Sequence, residues 1–345
     1  MEYRRLGRSG LKVSIVGLGC NDFGGRWDLE HSREVITRAL DAGVNLFDTS
    51  DVYPSPAGGE GPPGRSPQYH GDVLRGRRDE AIIATKFSRP TGEGAALYRA
   101  GVLDRAGHDT GEAANVAPRL LRQGGSRRHI IHALEGSLRR LGTDYIDLYQ
   151  LHGPDPTTPL DETLRALDDL VRDGKVRYIG CSNFEGWRVA EAAGIADSAR
   201  LTPFISTQAE YHMLDRRIEA DLVTACNAAG VSVLPYFPLA SGFLTGKYRR
   251  DEAAPEGTRF EMSPHLPGRF VSDDAWDRLE RLEAFASERG RPLVDLAIGW
   301  LASQPHIGSI IAGASRPAQI DQNIAASEWR LDAAELAEID EITLG

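Results

Sequence analysis

The sequence predicts an α/β chain: a single (β/α)8 TIM barrel with an N-terminal β-hairpin and extra C-terminal helices. Three observations carry that prediction. Short apolar strands and amphipathic helices alternate through eight strand-then-helix units along the 345 residues. No domain-sized linker interrupts them, so residues 1–345 read as one domain with an insertion at about 91–125. Several strands end in side chains that carry chemistry, and in such a barrel all strand C-termini open onto one face. A doubly wound sheet is the alternative. Against it, Gly17-Leu18-Gly19-Cys20-Asn21-Asp22 lacks the third glycine of a dinucleotide-binding turn.

The elements follow in order. Residues 3–13 alternate around Gly7 and Gly10 as a small hairpin, placed to close the barrel floor. Residues 15–20 form the first buried strand. Val35, Ile36, Ala39 and Leu40 give residues 31–42 a helical period that stops at Gly43. Strands are expected at 44–48, 81–86, 145–151, 178–181, 204–207, 231–234 and 309–311. Helices are expected near 67–76, 126–141, 160–173, 185–195, 273–289, 292–303, 317–326 and 332–342. Ser126 is the expected N-cap of its helix, and Asp215 that of a helix reaching Ala229 before Gly230.

Composition excludes several classes. The net charge of −10 argues against a nucleic-acid or polyanion binder. No apolar run approaches eighteen residues, which argues against a membrane span, and the first residues lack the apolar core of a signal peptide. Cys20, Cys181 and Cys226 are odd in number and widely spaced, with no disulfide framework or zinc pattern, as expected of a reduced cytoplasmic protein. No metal is expected, because no His, Cys or carboxylate cluster has ligand spacing. Only four lysines, Lys12, Lys86, Lys175 and Lys247, stand against 36 arginines.

The strand ends carry the chemistry. Asp48 closes one strand, with Tyr53 five residues on; Lys86 closes the next, and His152 follows a third. Taken singly, each has a plain structural use as a cap, a packing residue or a solvated charge. Together they suit protonation of an oxygen that becomes an alkoxide. A tyrosine has a reference pKa of roughly 10 and is a poor acid. A neighbouring ammonium lowers that value, an aspartate keeps the ammonium charged, and an imidazole holds a carbonyl oxygen or relays a proton. No nucleophile-and-base pair of the triad kind is evident.

The runs Asn45–Tyr53, Ala84-Thr85-Lys86-Phe87, Asp147–His152 and Gly180-Cys181-Ser182-Asn183-Phe184 resemble those of the aldo-keto reductases, and the likeness covers nearly the whole chain. The resemblance implies a nicotinamide cofactor held without a Rossmann fold and a tetrad of Asp48, Tyr53, Lys86 and His152. Tyr53 would be the general acid/base, Lys86 its activator, Asp48 the partner of Lys86, and His152 the carbonyl-orienting group. It further implies that Gly19, Cys20, Asn21 and Asp48 border the cofactor. Ser182, Asn183 and Gln208 would bind the carboxamide, and Tyr236 would stack on the ring. Phe237, Pro238, Leu239, Ser241, Lys247 and Arg259 would surround the pyrophosphate, with Phe237 where serine is more usual. Gly313, Ser315, Arg316, Gln319, Gln322 and Asn323 would hold the adenosine end, with Gln322 in place of a more usual glutamate. Arg316 favours NADP over NAD, because a planar guanidinium suits a 2′-phosphate and the Gly313–Pro317 turn has no acidic residue.

The expected function is therefore NADPH-dependent interconversion of a small-molecule carbonyl and its alcohol. The alternatives are a sugar-specific biosynthetic reductase and a slow-turnover, cofactor-sensing regulatory subunit. In the resemblance, potassium-channel β subunits have asparagine where this chain has His152, which favours the enzyme. The 91–125 segment begins five residues beyond Lys86 and is glycine-rich with scattered leucines, as expected of a lid over the catalytic face.

Overall fold

A computed structural model describes residues 1–54, 61–89 and 123–344. Residues 91–122 of the expected lid lie outside the described residues.

The hairpin is β1 (Tyr3–Arg5) and β2 (Lys12–Ser14), antiparallel with Arg4 opposite Val13. Eight parallel strands follow. They are β3 (Val16–Gly19), β4 (Leu46–Asp48), β5 (Ile82–Phe87) and β6 (Ile146–Leu151), then β7 (Val176–Ser182), β8 (Phe204–Glu210), β9 (Ser232–Tyr236) and β10 (Ile310–Gly313). Each pairs with its neighbour in chain order, and β10 returns to pair with β3. Between β9 and β10 the sheet is drawn together by Val233, whose N–H donates to His306 O and whose carbonyl accepts from Gly308 N–H, both at 2.9 Å. The result is a nearly closed (β/α)8 barrel.

Helices between the strands are α1 (Leu29–Asp41), α2 (Arg65–Val73), α3 (Arg127–Leu141), α4 (Leu160–Arg172), α5 (Gly186–Ala199) and α6 (Leu222–Ala229). The path from β9 to β10 carries two single-turn pieces, α7 (Arg259–Met262) and α8 (Pro267–Phe270), and then α9 (Asp273–Glu288) and α10 (Leu293–Ser303). After β10 come α11 (Pro317–Ala326) and α12 (Ala333–Leu344). Side-chain oxygens of Asp28, Ser126 and Ser272 accept the N–H groups of His31, His129 and Ala275, as N-caps do. Gly142 and Gly230 end α3 and α6 in the left-handed region.

Two apolar layers hold the barrel. Buried side chains between sheet and helices form the larger one, with Ile83, Tyr149, Ile179, Leu282 and Trp300 among them. The smaller one fills the barrel itself. Leu46, Ala84, Leu148, Ile205, Leu234 and Ile311 point inward and meet Leu6 and Val13 of the hairpin. The hairpin thus plugs the floor, fixed by Arg8 N–H to Gly230 O at 2.9 Å and by Gly7 N–H to Ser232 Oγ at 2.8 Å. Polar strand ends are left to the opposite rim.

Two of the boundary differences from expectation have a clear physical cause. Asp215 does not cap a long helix. Its carboxylate turns back to the Arg217 N–H and guanidinium, residues 217–219 make a 3-10 turn, and α6 starts only at Leu222. Arg216 fastens that turn by a bidentate pair with Glu219 and by Asp340. The second difference is β8, which runs to Glu210 rather than ending at Thr207, because β9 continues to pair with it as far as Tyr236.

Candidate active site

Parallel pairing sets the site. Asp48 is the last residue of β4, opposite Ala84 of β5, so Lys86 lies two residues beyond that register on the same side of its strand. The backbone after β4 then turns: Thr49 N–H donates to Ala84 O, and Tyr53 N–H to Ser50 O. That turn carries the Tyr53 ring back over Lys86.

The Lys86 side chain is 0% exposed and forms an ion pair with Asp48. Its ammonium also donates to Thr49 O at 3.2 Å and to the Tyr53 hydroxyl at 3.3 Å. Asp48 is held from the other side by the Gln208 amide at 2.8 Å and the Gln150 amide at 3.3 Å, both on Oδ1. A buried pair of opposite charges requires such extra hydrogen bonds to offset its desolvation. The His152 ring meets the Tyr53 ring edge-on, with centroids 5.9 Å apart. Its Nδ1 lies 3.3 Å from Ser50 Oγ.

The electrostatics set burial against the expected effect of Lys86. Burial raises the Tyr53 pKa above the ordinary phenol value, the Asp48 charge adds to that rise, and the attraction of Lys86 offsets it only in part. The phenol is therefore a protonated donor at neutral pH. Lys86 titrates above the ordinary lysine range: burial disfavours its charge, but Asp48 and Tyr53 more than compensate. Burial and the Lys86 and Arg89 charges hold His152 well below the usual histidine value, so its ring is neutral.

Ser182, Asn183, Gln208 and Tyr236 form one network beside this group. Ser182 Oγ donates to Gln208 O at 2.9 Å. Asn183 Nδ2 donates to His152 O at 2.9 Å, and Asn183 Oδ1 accepts from the Tyr236 hydroxyl at 2.8 Å. Asn183 sits in the left-handed region at φ 59°, which turns its amide toward these partners. The Tyr236 ring is thereby fixed at the end of β9.

The loop after β9 is built from positive-φ residues. Phe237, Ala240, Ser241 and Gly242 have φ of 52°, 46°, 58° and 94°. The φ of Gly242 lies where L side chains are strained whatever the space, so glycine is favoured there. Ser241 Oγ is buried without a hydrogen-bond partner among the described residues. Partial desolvation and the neighbouring Arg259 and Arg316 charges push the Lys247 pKa down. Arg259 is paired with Asp22, whereas Lys247 and Arg316 have no carboxylate partner among the described residues. Lys247, repelled by Arg259 and Arg316, in a loop that also carries an unsatisfied hydroxyl, fits an anion.

Arg316 is exposed at the N-terminus of α11, a position that suits an anion. Ser315 and Gln319 bind one another, the Gln319 side-chain oxygen accepting from Ser315 N–H at 2.6 Å. Gly313 and Gln322 are exposed, and Asn323 of α11 is buried. Pro238 is buried, while Leu239 and Phe237 are half-buried. Gly19 is half-buried at the end of β3, with Asn21 just beyond it. The Cys20 thiol points into the core, 3.2 Å from His70 Nε2.

Sequence reasoning missed several participants. Gln150 is an unremarked strand residue until β6 is seen to point it at Asp48. Asp22 and Arg26 meet Arg259 and Ser263 across more than 230 positions, a separation that no local pattern reveals. Among the described residues, Glu210, His212 and Asp215 lie close enough to share an ion. However, Leu214 N–H donates to His212 Nδ1, which places the ring proton on Nε2, the nitrogen facing Glu210. Arg269 and Arg217 moreover neutralise the two carboxylates. Cys20, Cys181 and Cys226 are free, buried thiols. No helix among the described residues is long and apolar enough to cross a membrane.

Comparison with known proteins agrees with this geometry. A family model described as the aldo/keto reductase family matches residues 15–344. A probable voltage-gated potassium channel subunit beta of Oryza sativa subsp. japonica is 33% identical over 333 residues, covering 94% of this chain and 91% of the relative. A protein of the same description from Arabidopsis thaliana matches to the same extent. A putative voltage-gated potassium channel subunit beta of Schizosaccharomyces pombe is 33% identical over 354 residues, covering 99% of this chain and 93% of the relative. Barrel, strand-end residues and similarity over the full span lead to one conclusion: the chain belongs to the aldo/keto reductase family.

Proposed function

We propose that the protein is an NADP-dependent oxidoreductase that interconverts an aldehyde or ketone with its alcohol. The observation that carries this reading is the placement of the Lys86 ammonium, 3.3 Å from the Tyr53 hydroxyl and paired with Asp48. The nicotinamide, when bound, supplies or accepts the hydride. Tyr53 gives its proton to the carbonyl oxygen as negative charge develops there, and Lys86 stabilises the resulting phenolate. Asp48 keeps Lys86 charged and in place. His152, neutral and beside Tyr53, orients the carbonyl by a hydrogen bond.

Chain residues divide the cofactor between them in this proposal. Ser182, Asn183 and Gln208 take the carboxamide, and Tyr236 stacks on the ring. Ser241, Lys247 and Arg259, with the backbone of Phe237, Pro238 and Leu239, surround the pyrophosphate. Gly313, Ser315, Arg316, Gln319, Gln322 and Asn323 receive the adenosine end, and Gly19, Cys20 and Asn21 border the opposite wall through their backbone. The uncompensated charges of Lys247 and Arg316 support a phosphate-rich ligand.

A panel of aldehydes, ketones and sugars with NADPH, followed by loss of nicotinamide absorbance, tests the reading; no turnover with any class would sink it. Arg316→Ala is expected to weaken NADPH by about ten- to hundredfold and NADH far less, because one charge-assisted hydrogen bond contributes roughly 1.5–3 kcal/mol. Fluorescence titration with both cofactors checks it, and equal weakening would remove Arg316 from 2′-phosphate recognition.

The names of the three relatives favour a second reading, a cofactor-binding subunit of a potassium channel. Steady turnover in the panel separates the two, and His152 favours the enzyme.

A further inference from the structure

Behind His152 lies a pair of side chains that the proposed chemistry does not use. Ser50 Oγ is 3.3 Å from His152 Nδ1 and donates to Asp51 Oδ1 at 3.2 Å. A third group also touches it: Val52 N–H donates to Ser50 Oγ at 3.4 Å. A serine hydroxyl has one proton and two lone pairs. With Val52 on one lone pair, a single donor and a single acceptor remain for His152 and Asp51. One neighbour must therefore give a proton to the bridge and the other must receive one.

We propose that Asp51, acting through Ser50, selects which ring nitrogen of His152 carries the proton, and so decides whether His152 can donate to a substrate carbonyl. This rests on the reductase reading above and names a positioning pair for that site. When Asp51 is ionised it only accepts, so Ser50 donates to it and accepts from His152 Nδ1–H. His152 Nε2, which has no partner among the described residues, then presents a lone pair and repels a carbonyl oxygen. When Asp51 is protonated it donates to Ser50, Ser50 donates to Nδ1, and Nε2 carries the proton. Only that form offers the carbonyl a hydrogen bond.

The surroundings make this a tautomer choice rather than a charge change. Burial and the Lys86 and Arg89 charges keep the His152 ring neutral. Asp51 is 3% exposed, and its Oδ2 has no hydrogen-bond partner among the described residues. It faces Arg140 from α3, Lys86 from β5 and the Tyr149 ring from β6. Burial outweighs the two cations and the Ser50 hydrogen bond, and the carboxyl is pushed up to about 7. The bridge thus changes sense close to neutrality. Reduction is favoured below that point, where Asp51 is protonated, and weakened above it.

Histidine-15N NMR of the full cofactor-free chain tests the proposal, with His152→Asn assigning the signal. The expected result is an Nε2–H ring below roughly pH 6 that becomes Nδ1–H above roughly pH 8. Asp51→Asn should hold Nε2–H throughout, because Arg140 attracts the amide oxygen and leaves the amide N–H for Ser50. Ser50→Ala should abolish the titration while leaving a fixed tautomer mixture. In turnover, kcat/KM for carbonyl reduction should fall about three- to tenfold across the same pH range in the wild type, the effect of one hydrogen bond. That fall should vanish in Asp51→Asn.

A tautomer that does not change between pH 5 and pH 9 in the wild type would overturn the proposal, as would an unaltered titration in either variant. The NMR readout needs no substrate. Should no carbonyl be reduced while the tautomer still titrates, the reductase reading fails and the switch stands. Should reduction proceed with a fixed tautomer, the switch alone fails.

Discussion

Tyr53→Phe is expected to lower kcat for carbonyl reduction by about 10²- to 10⁴-fold, the usual contribution of a positioned general acid. NADPH affinity should change little. The substitution removes one oxygen and keeps the ring that lies edge-on against His152. The lost hydroxyl accepts from Lys86, which retains Asp48 and the Thr49 carbonyl as partners, so the fold has no new unpaired charge. Single-turnover mixing with saturating NADPH isolates the chemical step, and a fluorescence titration measures binding separately. Wild-type turnover in this variant would take Tyr53 out of the mechanism, whereas loss of cofactor binding would show that the ring was disturbed.

Lys86→Met should have two large effects at once. Reduction should fall by a comparable factor, since nothing then stabilises the Tyr53 phenolate. Stability should fall by about 3–5 kcal/mol, because Asp48 is left buried with two amides and no cation. The two effects depend differently on pH. Without Lys86 the Tyr53 pKa rises further, so the alkaline limb of alcohol oxidation moves to higher pH. In the wild type the folded pKa of Lys86 is raised, so its stabilisation is present in full below the ordinary lysine value and is lost as pH climbs through the folded one. Combining Lys86→Met with Asp48→Asn should restore much of the stability but none of the activity. Denaturant melts at several pH values, set beside rate profiles, check both halves. Recovery of activity in the double variant would contradict the role of the ammonium.

Much of this arrangement can be read along the chain. Strand ends that carry Asp48, Lys86 and His152 follow apolar runs of the right length, and one rim collects them whatever the loops do. Ser126 and Gly230 announce helix ends because capping is local chemistry. What could not be read is non-local. The Asp215 expectation failed because Arg217 claims its carboxylate and Arg216 and Glu219 lock a tighter turn. Lys86 lowers the Tyr53 pKa, yet burial raises it by more, and burial is a property of the assembled rim. The Cys20 thiol faces inward because His70, fifty positions away, lies beneath it. The Ser50–Asp51 pair adjoins Tyr53 in sequence, but its meaning appears only when β6 brings His152 alongside.

The scarcity of lysine, set against the buried position of Lys86, has a practical side. An amine-directed acylating reagent meets three solvent-facing lysines, Lys12, Lys175 and Lys247, and cannot reach Lys86. Lys175 is tied to Glu135 far from the rim, and Lys12 belongs to the floor hairpin. Only Lys247 stands among the cations of the loop after β9. Random acylation, ordinarily too diffuse to interpret, has on this chain a single target in that loop; Lys12, Lys175 and the N-terminal amine mark other faces, and the guanidinium groups stay chemically silent.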